Sequence, residues 1–398
     1  MAGCVSIPMG GIKMDAWQRV YEAVDNRVPD RVPVVPKIWV DLGAALTGTS
    51  LVDVVRDPMI ALRVIADAGR LCTVDGVRLF HFPPRNVHEQ DGRVWEVDGD
   101  GKPLGDIDMK GGLHTHLSDP THFDVTNNDF MAYHHYWTAA SPFLNDEAEA
   151  KSIAVPAKDY YEELGWGERL AVFQAELGKE TAILGDCSSG TMAFLVTMRG
   201  MNTAMMDLIE EPDLVHRIME KGVAVAVEKA KFNIDRGVLV LRLNDSVGNM
   251  SVMSPAHWRE FVFPHMRDFC SEVHRYSDAA RIYCHICGNV LPIAEDLVET
   301  GLDCIGPLDP LGGFSPADVR ERVGDAVSLM GGVNTLTFVD GTPADIREEA
   351  HTCILEAGEH GGFVVGSGCV VPRSAQKENL VALRAAADEF GVYEGGKL

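Results

Sequence analysis

Short apolar runs alternate with longer amphipathic stretches along most of the chain, and this alternation limits the possible folds more than any other feature. Runs rich in β-branched residues and bounded by turn residues predict strands, and a helical stretch between successive strands predicts parallel pairing. Eight such units predict a (β/α)8 TIM barrel of the α/β class. The predicted strands are 33–39, 75–80, 181–186, 238–244, 281–287, 302–307, 327–332 and 362–367.

Three of the intervening helices begin with a recognisable signal. Ser254, Ser315 and Thr342 each place a hydroxyl before a proline, which suits the cap and the first position of a helix. One stretch without such a signal, 204–234, is predicted as a single long helix. In a TIM barrel the active site gathers at the carboxyl ends of the strands. Polar residues at those ends are therefore the first candidates for function.

One connection is too long for an ordinary loop. Residues 82–180 separate the second and third predicted strands. Within them, the sequence RVWEVDGDGKPLGDIDMKGG predicts a hairpin around GDGKP. We expect a single domain over 1–398 in which this insertion covers the barrel mouth, although a surface excursion is the alternative. His134 and His135, in an aromatic-rich part of the insertion, are candidate substrate-binding residues.

The composition argues against several kinds of binding partner and of cellular location. No run of 18 apolar residues occurs and the start MAGCVSIPMGGIKM lacks the pattern of a signal peptide, so we expect no membrane span and a cytoplasmic protein. Nine cysteines without regular spacing suit a reducing compartment. A net charge of −24 argues against nucleic acid or an anionic membrane as partner, although solubility alone would also explain it.

Three soft donors stand at the ends of two predicted strands. His285 and Cys287 are two positions apart in RIYCHIC, which places them on one face of a strand, and Cys369 follows the apolar run FVVGSG. One imidazole and two thiolates without a nearby fourth donor is typical of a catalytic zinc site with an open position, whereas a structural zinc uses four protein ligands. Cysteine is often buried, so Cys72, Cys284, Cys304 and Cys353 are interpreted as small core residues, and CHIC alone would be weak evidence for a pair of ligands.

Several motifs resemble the uroporphyrinogen decarboxylase-like superfamily. They are RVPDRVPVVP near the start, SPAHWREFVFPHMRDF, and two that are specific to the zinc- and corrinoid-dependent methyltransferase branch, CHICGN and GSGCVVPRSAQKENLVAL. The resemblance implies that His285, Cys287 and Cys369 bind one zinc ion. Decarboxylases carry an arginine-rich motif where this chain has PKIWVDLGAAL and a glycine–histidine motif where it has GSGC, so decarboxylation is not expected.

The resemblance also implies a methyl transfer that involves a corrinoid. The chain lacks the D-x-H-x-x-G cobalamin motif, so we expect a separate corrinoid protein as partner together with a small-molecule methyl donor. The favoured hypothesis is demethylation of an aryl methyl ether to the cobalt(I) of that partner, because IDMKGG resembles aryl ether demethylases and an aromatic-rich cover suits a flat substrate. The alternative is transfer of the methyl group from the corrinoid protein to a small thiol.

Polar residues at other strand ends complete the prediction. Asp245 is the candidate catalytic residue, with capping of the following loop as the alternative. Asn244 precedes it, and in a regular strand one of the two at most faces inward. Substrate-binding or supporting roles are predicted for Asn244, Asp186, Asn334 and Tyr283, and Tyr283 shares the strand face of the proposed ligands.

Overall fold

The computed structural model describes residues 13–80, 84–109, 115–117 and 142–398. These residues form a parallel sheet, a smaller antiparallel sheet and a series of helices. The strands are β1 (Gly76–Arg78), β2 (Val87–Gln90), β3 (Arg93–Val97), β4 (Pro103–Ile107), β5 (Thr115–Leu117), β6 (Ala182–Ser189), β7 (Val240–Asn244), β8 (Arg281–His285), β9 (Cys304–Leu308), β10 (Ser328–Val333) and β11 (Phe363–Ser367).

The parallel sheet follows the chain. Within the described residues it contains seven strands in the order β1, β6, β7, β8, β9, β10 and β11, and each pairs in parallel with the next. The register sets Asn244 of β7 opposite His285 of β8. Because the strands are parallel, their carboxyl ends share one rim of the sheet.

The segment 33–39 is not the regular strand that the sequence predicts, yet it fills the gap between β11 and β1. Val34 pairs in parallel with Val365 of β11, and its carbonyl accepts the backbone N–H of Asp75 at 2.9 Å. Two of the seven residues are prolines, which have no amide hydrogen, so a continuous ladder cannot form. The bonds on both sides nevertheless close the sheet, which confirms the α/β TIM-barrel prediction.

Part of the 82–180 insertion forms a separate sheet. Strands β2, β3, β4 and β5 are antiparallel neighbours in that order, and β3 and β4 form the hairpin predicted around GDGKP. His134 and His135 lie outside the described residues, so their placement in the pocket stays a prediction. The covering role of the insertion also stays a prediction.

Three helices begin at the residues that the sequence predicts, but the stretch predicted as one long helix is divided into two. The hydroxyls of Ser254, Ser315 and Thr342 each accept the backbone N–H three residues on. The stretch 204–234 is two helices, because Pro212 starts a new one. The α-helices of the described residues are Ala16–Val24, Val40–Thr47, Leu51–Arg56, Pro58–Leu71, Glu147–Ser152, Lys158–Glu163, Trp166–Leu177, Met192–Arg199, Met201–Glu210, Pro212–Asp235, Pro255–His257, Phe263–Tyr276, Ala294–Glu299, Pro316–Val323, Thr337–Asp340, Pro343–Ala357 and Lys377–Phe390, and the π-helix Trp258–Val262 joins Pro255–His257 to Phe263–Tyr276.

Two apolar layers hold the barrel together. One packs between the sheet and the surrounding helices. The other lies inside the barrel and is closed at one end by the helix Ala16–Val24. Its strand members are Ala182, Leu184, Val240, Tyr283, Cys304, Met330 and Val364, joined by Val35 of the irregular segment. Side chains alternate between the two faces of a strand, so residues two positions beyond this layer also face inward.

Among the described residues, no helix combines the length and the apolar character needed to cross a membrane.

Candidate metal centre

The three predicted metal ligands lie together at the carboxyl rim of the barrel. His285 ends β8, Cys287 follows it by two residues, and Cys369 follows the end of β11 by two. Their ligand atoms all lie within 4.8 Å of one another, and the Cys369 Sγ is 3.9 Å from the His285 Nε2. Strands β8 and β11 are not neighbours in the sheet, so the curvature of the barrel brings these donors together.

A tight turn fixes the position of Cys287. The next residue, Gly288, has a φ of +86°, and a Cβ there would lie 2.9 Å from the Asn249 Oδ1. Its backbone N–H donates to the Asp309 Oδ2 at 3.1 Å, while the Asp309 Oδ1 accepts the backbone N–H of Leu311 at 3.0 Å. The buried Asp309 therefore ties the turn after β8 to the loop after β9.

Neighbouring backbone bonds fix the position of Cys369. The Ser367 hydroxyl donates to the carbonyl of Cys369 at 2.6 Å and accepts the backbone N–H of Lys37 at 2.9 Å. A Cβ on Gly368 would lie 2.7 Å from the Pro310 Cδ, so the loop packs too closely for a side chain there. Both cysteines thus stand on loops held to adjoining loops.

The electrostatic surroundings favour the ligand forms of His285 and Cys369. Burial, followed by the nearby charges of Lys37 and Arg242, holds the pKa of His285 well below its usual range, so its imidazole is neutral and has a free lone pair. The hydrogen bond from Cys287 lowers the pKa of Cys369 to about 6, against the opposing effect of burial. The same bond raises the pKa of Cys287. One thiolate therefore forms easily, and the pair shares the remaining proton.

This donor set fits a zinc ion. A neutral imidazole and two thiols at this separation match the nitrogen and sulfur ligands of zinc, and such soft donors disfavour magnesium and calcium. A bound dication would also stabilise Cys287 as a thiolate, in place of the proton that the two cysteines share. The His285 Nδ1 is buried and has no hydrogen-bond partner among the described residues, while its Nε2 faces Cys369.

Three further predicted residues line the same interior. Asp186 of β6 accepts a hydrogen bond from Arg242, and Asn244 of β7 accepts another from the same guanidinium. Tyr283 is buried one layer below His285, in the apolar interior layer, and its hydroxyl accepts from Arg78. These three side chains contact buried arginines of the interior, and their direct contact with substrate stays a prediction.

Three buried basic side chains of this interior were not predicted from the sequence. Lys37, Arg78 and Arg242 are buried, and the Lys37 Nζ lies 3.2 Å from the His285 Nε2. Burial lowers the pKa of Lys37 to about 7. The signal was present in the sequence, because Arg242 in VLVLRLN and Arg78 in DGVRLF are charged residues inside apolar strand runs. Arg242 also stands two positions before Asn244 and therefore shares its face.

Asp245 points away from this interior. It is fully buried, and its Oδ1 accepts the backbone N–H of Ala193 at 2.7 Å, in the first turn of the helix Met192–Arg199. Burial raises its pKa to about 6. The prediction that at most one of Asn244 and Asp245 faces inward is confirmed. The contacts of Asp245 favour capping, although of a neighbouring helix rather than of its own loop.

A pair of variants separates capping from catalysis at Asp245. The Asp245→Asn variant keeps an acceptor for the Ala193 N–H, so we expect methyl-transfer activity close to wild type. The Asp245→Ala variant loses the acceptor, and we expect its free energy of unfolding to fall by about 1–2 kcal/mol. Activity assays and chemical unfolding measure both. A loss of roughly a hundredfold or more in Asp245→Asn with its zinc retained would instead support general acid–base catalysis.

Asn334 lies apart from the metal ligands. Its Oδ1 accepts the backbone N–H of Leu336 at 3.0 Å, and its own backbone N–H donates to Glu349 of the helix Pro343–Ala357 at 2.9 Å. It lines a cleft of about 590 Å³ with Phe314 and residues of that outer helix. The structure thus gives Asn334 a turn-forming role, and a role beside the metal stays a prediction.

Comparison with known proteins agrees with this fold. The family model for uroporphyrinogen decarboxylase (URO-D) matches residues 138–390. The methylcobamide:CoM methyltransferase MtaA of Methanosarcina barkeri is 24% identical over 224 residues, which are 56% of this chain and 62% of that protein. A methylated-thiol–coenzyme M methyltransferase of Methanosarcina mazei is 26% identical over 183 residues, 45% of this chain and 46% of that protein.

Decarboxylases and a solved methyltransferase are also similar. The uroporphyrinogen decarboxylase of Pseudoalteromonas translucida is 26% identical over 243 residues, 59% of this chain and 67% of that protein. The solved structure of a methyltransferase from Methanosarcina mazei has a TM-score of 0.71 at 20% identity, over 95% of this chain and 99% of that one. This chain therefore belongs to the uroporphyrinogen decarboxylase family, and it is similar to that family's corrinoid-dependent methyltransferase branch.

Proposed function

We propose that this protein transfers a methyl group between a corrinoid and a small molecule at a zinc ion held by His285, Cys287 and Cys369. The observation that carries the proposal is the cluster of one imidazole and two thiols within 4.8 Å at the carboxyl rim of the barrel. When bound, zinc acts as a Lewis acid that stabilises negative charge on the sulfur or oxygen of the substrate. Three protein ligands leave one position for that atom.

The residues around the cluster prepare the site for such a substrate. Asp309 and Ser367 hold the two cysteine loops in place, so the donors are organised before the metal arrives. The buried side chains of Lys37 and Arg242 supply hydrogen-bond donors beside the ligands. His285 itself is almost fully buried. These residues bind and orient, and the corrinoid is supplied by a separate protein.

Of the two directions, we favour demethylation of an aryl methyl ether. The rings of Trp39 and Phe80 meet edge to face with their centroids 4.4 Å apart, and the Lys37 Nζ lies 5.8 Å from the centroid of Trp39. An aromatic wall next to a cation that touches the metal ligand suits a flat substrate. A phenol, the product of demethylation, has a pKa near 10, so a zinc ion at this site would stabilise it as a leaving group.

The 82–180 insertion is proposed to cover this site. Arg373, four residues after Cys369, donates from its Nη1 to the carbonyl of Met109 at 3.1 Å, just beyond strand β4. That bond joins the insertion to the loop that carries a metal ligand. A cover over the barrel mouth would exclude water and enclose the substrate.

Methylation of a small thiol is the second candidate. Two of the similar proteins are a methylcobamide:CoM methyltransferase and a methylated-thiol–coenzyme M methyltransferase, so both are named for a thiol. A zinc ion held by His285, Cys287 and Cys369 would supply Lewis-acid stabilisation to the sulfur of a thiol as well as to the oxygen of a phenol. The match covers 62% of the length of the first of these relatives. The direction of methyl transfer in this protein therefore has to be measured directly.

Cobalt spectroscopy decides between the two directions. Zinc-loaded protein is mixed with cobalt(I) cobalamin or a corrinoid protein and then with methoxylated aromatics, methylamines, methanol or methyl thioethers. We expect methoxylated aromatics to convert cobalt(I) to methyl-cobalt(III), and metal-free protein to leave the spectrum unchanged. In the reverse assay, methylcobalamin is offered with small thiols. Rapid thiol methylation without ether cleavage would establish the second candidate, and no spectral change with any compound would refute both.

A further inference from the structure

Four neighbouring segments at the carboxyl rim of the barrel contain no charged residue. Asp, Glu, Lys and Arg make up 24% of the chain, yet the segments 246–258, 286–294, 310–317 and 334–339 contain none of them. We call these four the uncharged rim segments. They follow strands β7, β8, β9 and β10, which are neighbours in the sheet, so the segments lie side by side. Depletion of charged residues is typical of the core of a protein–protein interface.

Three of the uncharged rim segments also expose a large apolar side chain. Leu311 is 57% exposed, Leu336 is 52% exposed and Val252 is 40% exposed. A single exposed apolar side chain is common on any protein surface and needs no explanation. These three stand on segments of one rim that all lack charge, so burying them against a partner would remove apolar surface from water without burying a charge.

Two of these segments are held against the turn that carries Cys287. The backbone N–H of Met250 donates to the carbonyl of Asn289 at 2.8 Å, and Met250 stands in the segment that follows β7. A Cβ on Gly312, in the segment that follows β9, would lie 2.7 Å from the carbonyl carbon of Gly288. The exposed side chains of these two segments therefore border a loop that supplies a metal ligand.

The segment with Leu336 adjoins the other cysteine loop. The carbonyl of Val333, at the end of β10, accepts the backbone N–H of Gly368 at 2.7 Å, and Gly368 directly precedes Cys369. All three exposed apolar side chains thus stand on segments next to the two loops that hold the cysteines of the metal cluster.

Two bonds of the insertion lie at other places on the barrel. Arg373, whose Nη1 donates to the Met109 carbonyl, follows β11, and Arg56, which pairs with Glu89 of β2 at 3.0 Å, follows the irregular segment 33–39. The uncharged rim segments follow β7 to β10 instead, and their three apolar side chains remain exposed. That part of the rim is therefore open to a partner.

We propose that the uncharged rim segments are the docking surface for the corrinoid protein, with Leu311, Leu336 and Val252 as its exposed apolar contacts. The inference rests on the proposed function, since it places the partner of that reaction. The methyl group passes between cobalt and an atom held at the metal, so the corrinoid has to come within bonding reach of the cluster. A protein that carries it there covers the adjoining segments, and a small apolar contact can form and separate at each turnover.

Two methyl carriers of different size test the proposal on the zinc-loaded protein. One is free cobalamin, and the other is a cobalamin-loaded corrinoid protein that supports turnover in the cobalt assay. We expect Leu311→Glu and Leu336→Glu each to raise the concentration of corrinoid protein at half-maximal rate by about tenfold or more, because docking would bury a carboxylate. Zinc content and the rate with free cobalamin should stay at wild-type values. The matched control is Leu355→Glu, whose leucine is 58% exposed on the helix Pro343–Ala357, and we expect no change with either carrier.

The salt dependence of docking gives a second readout on the wild-type protein. Salt screens contacts between charges but does not weaken apolar ones, so we expect the half-saturating concentration of corrinoid protein to stay level or fall as salt rises. A steep rise with salt, or unchanged half-saturation in both leucine variants, would overturn the proposal while turnover with free cobalamin still supports methyl transfer. Turnover with free cobalamin and with no corrinoid protein would do the same.

A second copy of this chain is the other occupant that the experiment can reveal. If Leu311→Glu converts a dimer to monomers in size-exclusion chromatography and leaves half-saturation by the corrinoid protein unchanged, the surface joins two copies and the proposal is wrong. Absence of turnover with both carriers would overturn the proposed function as well.

Discussion

Replacing Cys369 with serine is expected to abolish stoichiometric zinc binding and to reduce methyl transfer by roughly a thousandfold. Cys369 supplies one of three soft donors, and two remaining protein ligands hold zinc poorly at neutral pH. Lewis-acid stabilisation of a leaving group is worth several kcal/mol, and each 1.36 kcal/mol of barrier is a factor of ten in rate. Metal analysis after dialysis and the cobalt assay measure the two effects. The same outcome is expected for His285→Ala and Cys287→Ser.

A cysteine outside the cluster provides the control for this prediction. Cys72 is fully buried at the end of the helix Pro58–Leu71 and is not part of the cluster. Its replacement by alanine should leave one zinc per chain, even if stability falls. If Cys369→Ser keeps wild-type zinc content and loses activity, that cysteine is a reacting group rather than a ligand. If it keeps both, Cys369 has no part in the site.

The cluster of His285, Cys287 and Cys369 was predictable in part because the signal of its first two members is local. His285 and Cys287 share a strand face by spacing alone, and the structure places Cys369 beside them. The position of Asn334 was not predictable in the same way, because the end of a strand does not say whether a side chain turns inward. Its side chain instead accepts the backbone N–H of Leu336, a bond that depends on the local turn.

The first barrel element shows where strand propensity is insufficient. The run 33–39 is apolar and β-branched, yet two prolines remove the donors that a ladder needs. The bonds that hold it come from distant parts of the chain, such as Arg78 to the Pro36 carbonyl. Contacts between residues so far apart in the sequence form only when the barrel closes, so a local sequence pattern does not predict them.

The strongest of those distant contacts surround Asp75, which lies just before β1. Its Oδ1 accepts from the Arg19 Nη1 at 2.8 Å and the Arg31 Nη2 at 2.7 Å, and its Oδ2 accepts from the Arg31 Nη1 at 2.7 Å. The same Oδ2 accepts the backbone N–H of Val34 at 2.8 Å. Asp75 is 1% exposed, and Arg19 and Arg31 are each 6% exposed. One carboxylate therefore joins the first helix, the irregular segment and the first strand.

Replacing Asp75 with alanine is expected to lower the free energy of unfolding by about 3–5 kcal/mol, because two buried guanidiniums lose the carboxylate they share. Chemical unfolding measures this change. In the control Asp67→Asn, the lost pair with Arg70 is 3.4 Å long and about one-third exposed, so we expect less than about 1 kcal/mol. A comparable loss in the two variants would mean that water reaches the Asp75 network. A small loss in Asp75→Ala would mean that the other carboxylates, Asp30 at Arg19 and Asp388 at Arg31, compensate the two arginines.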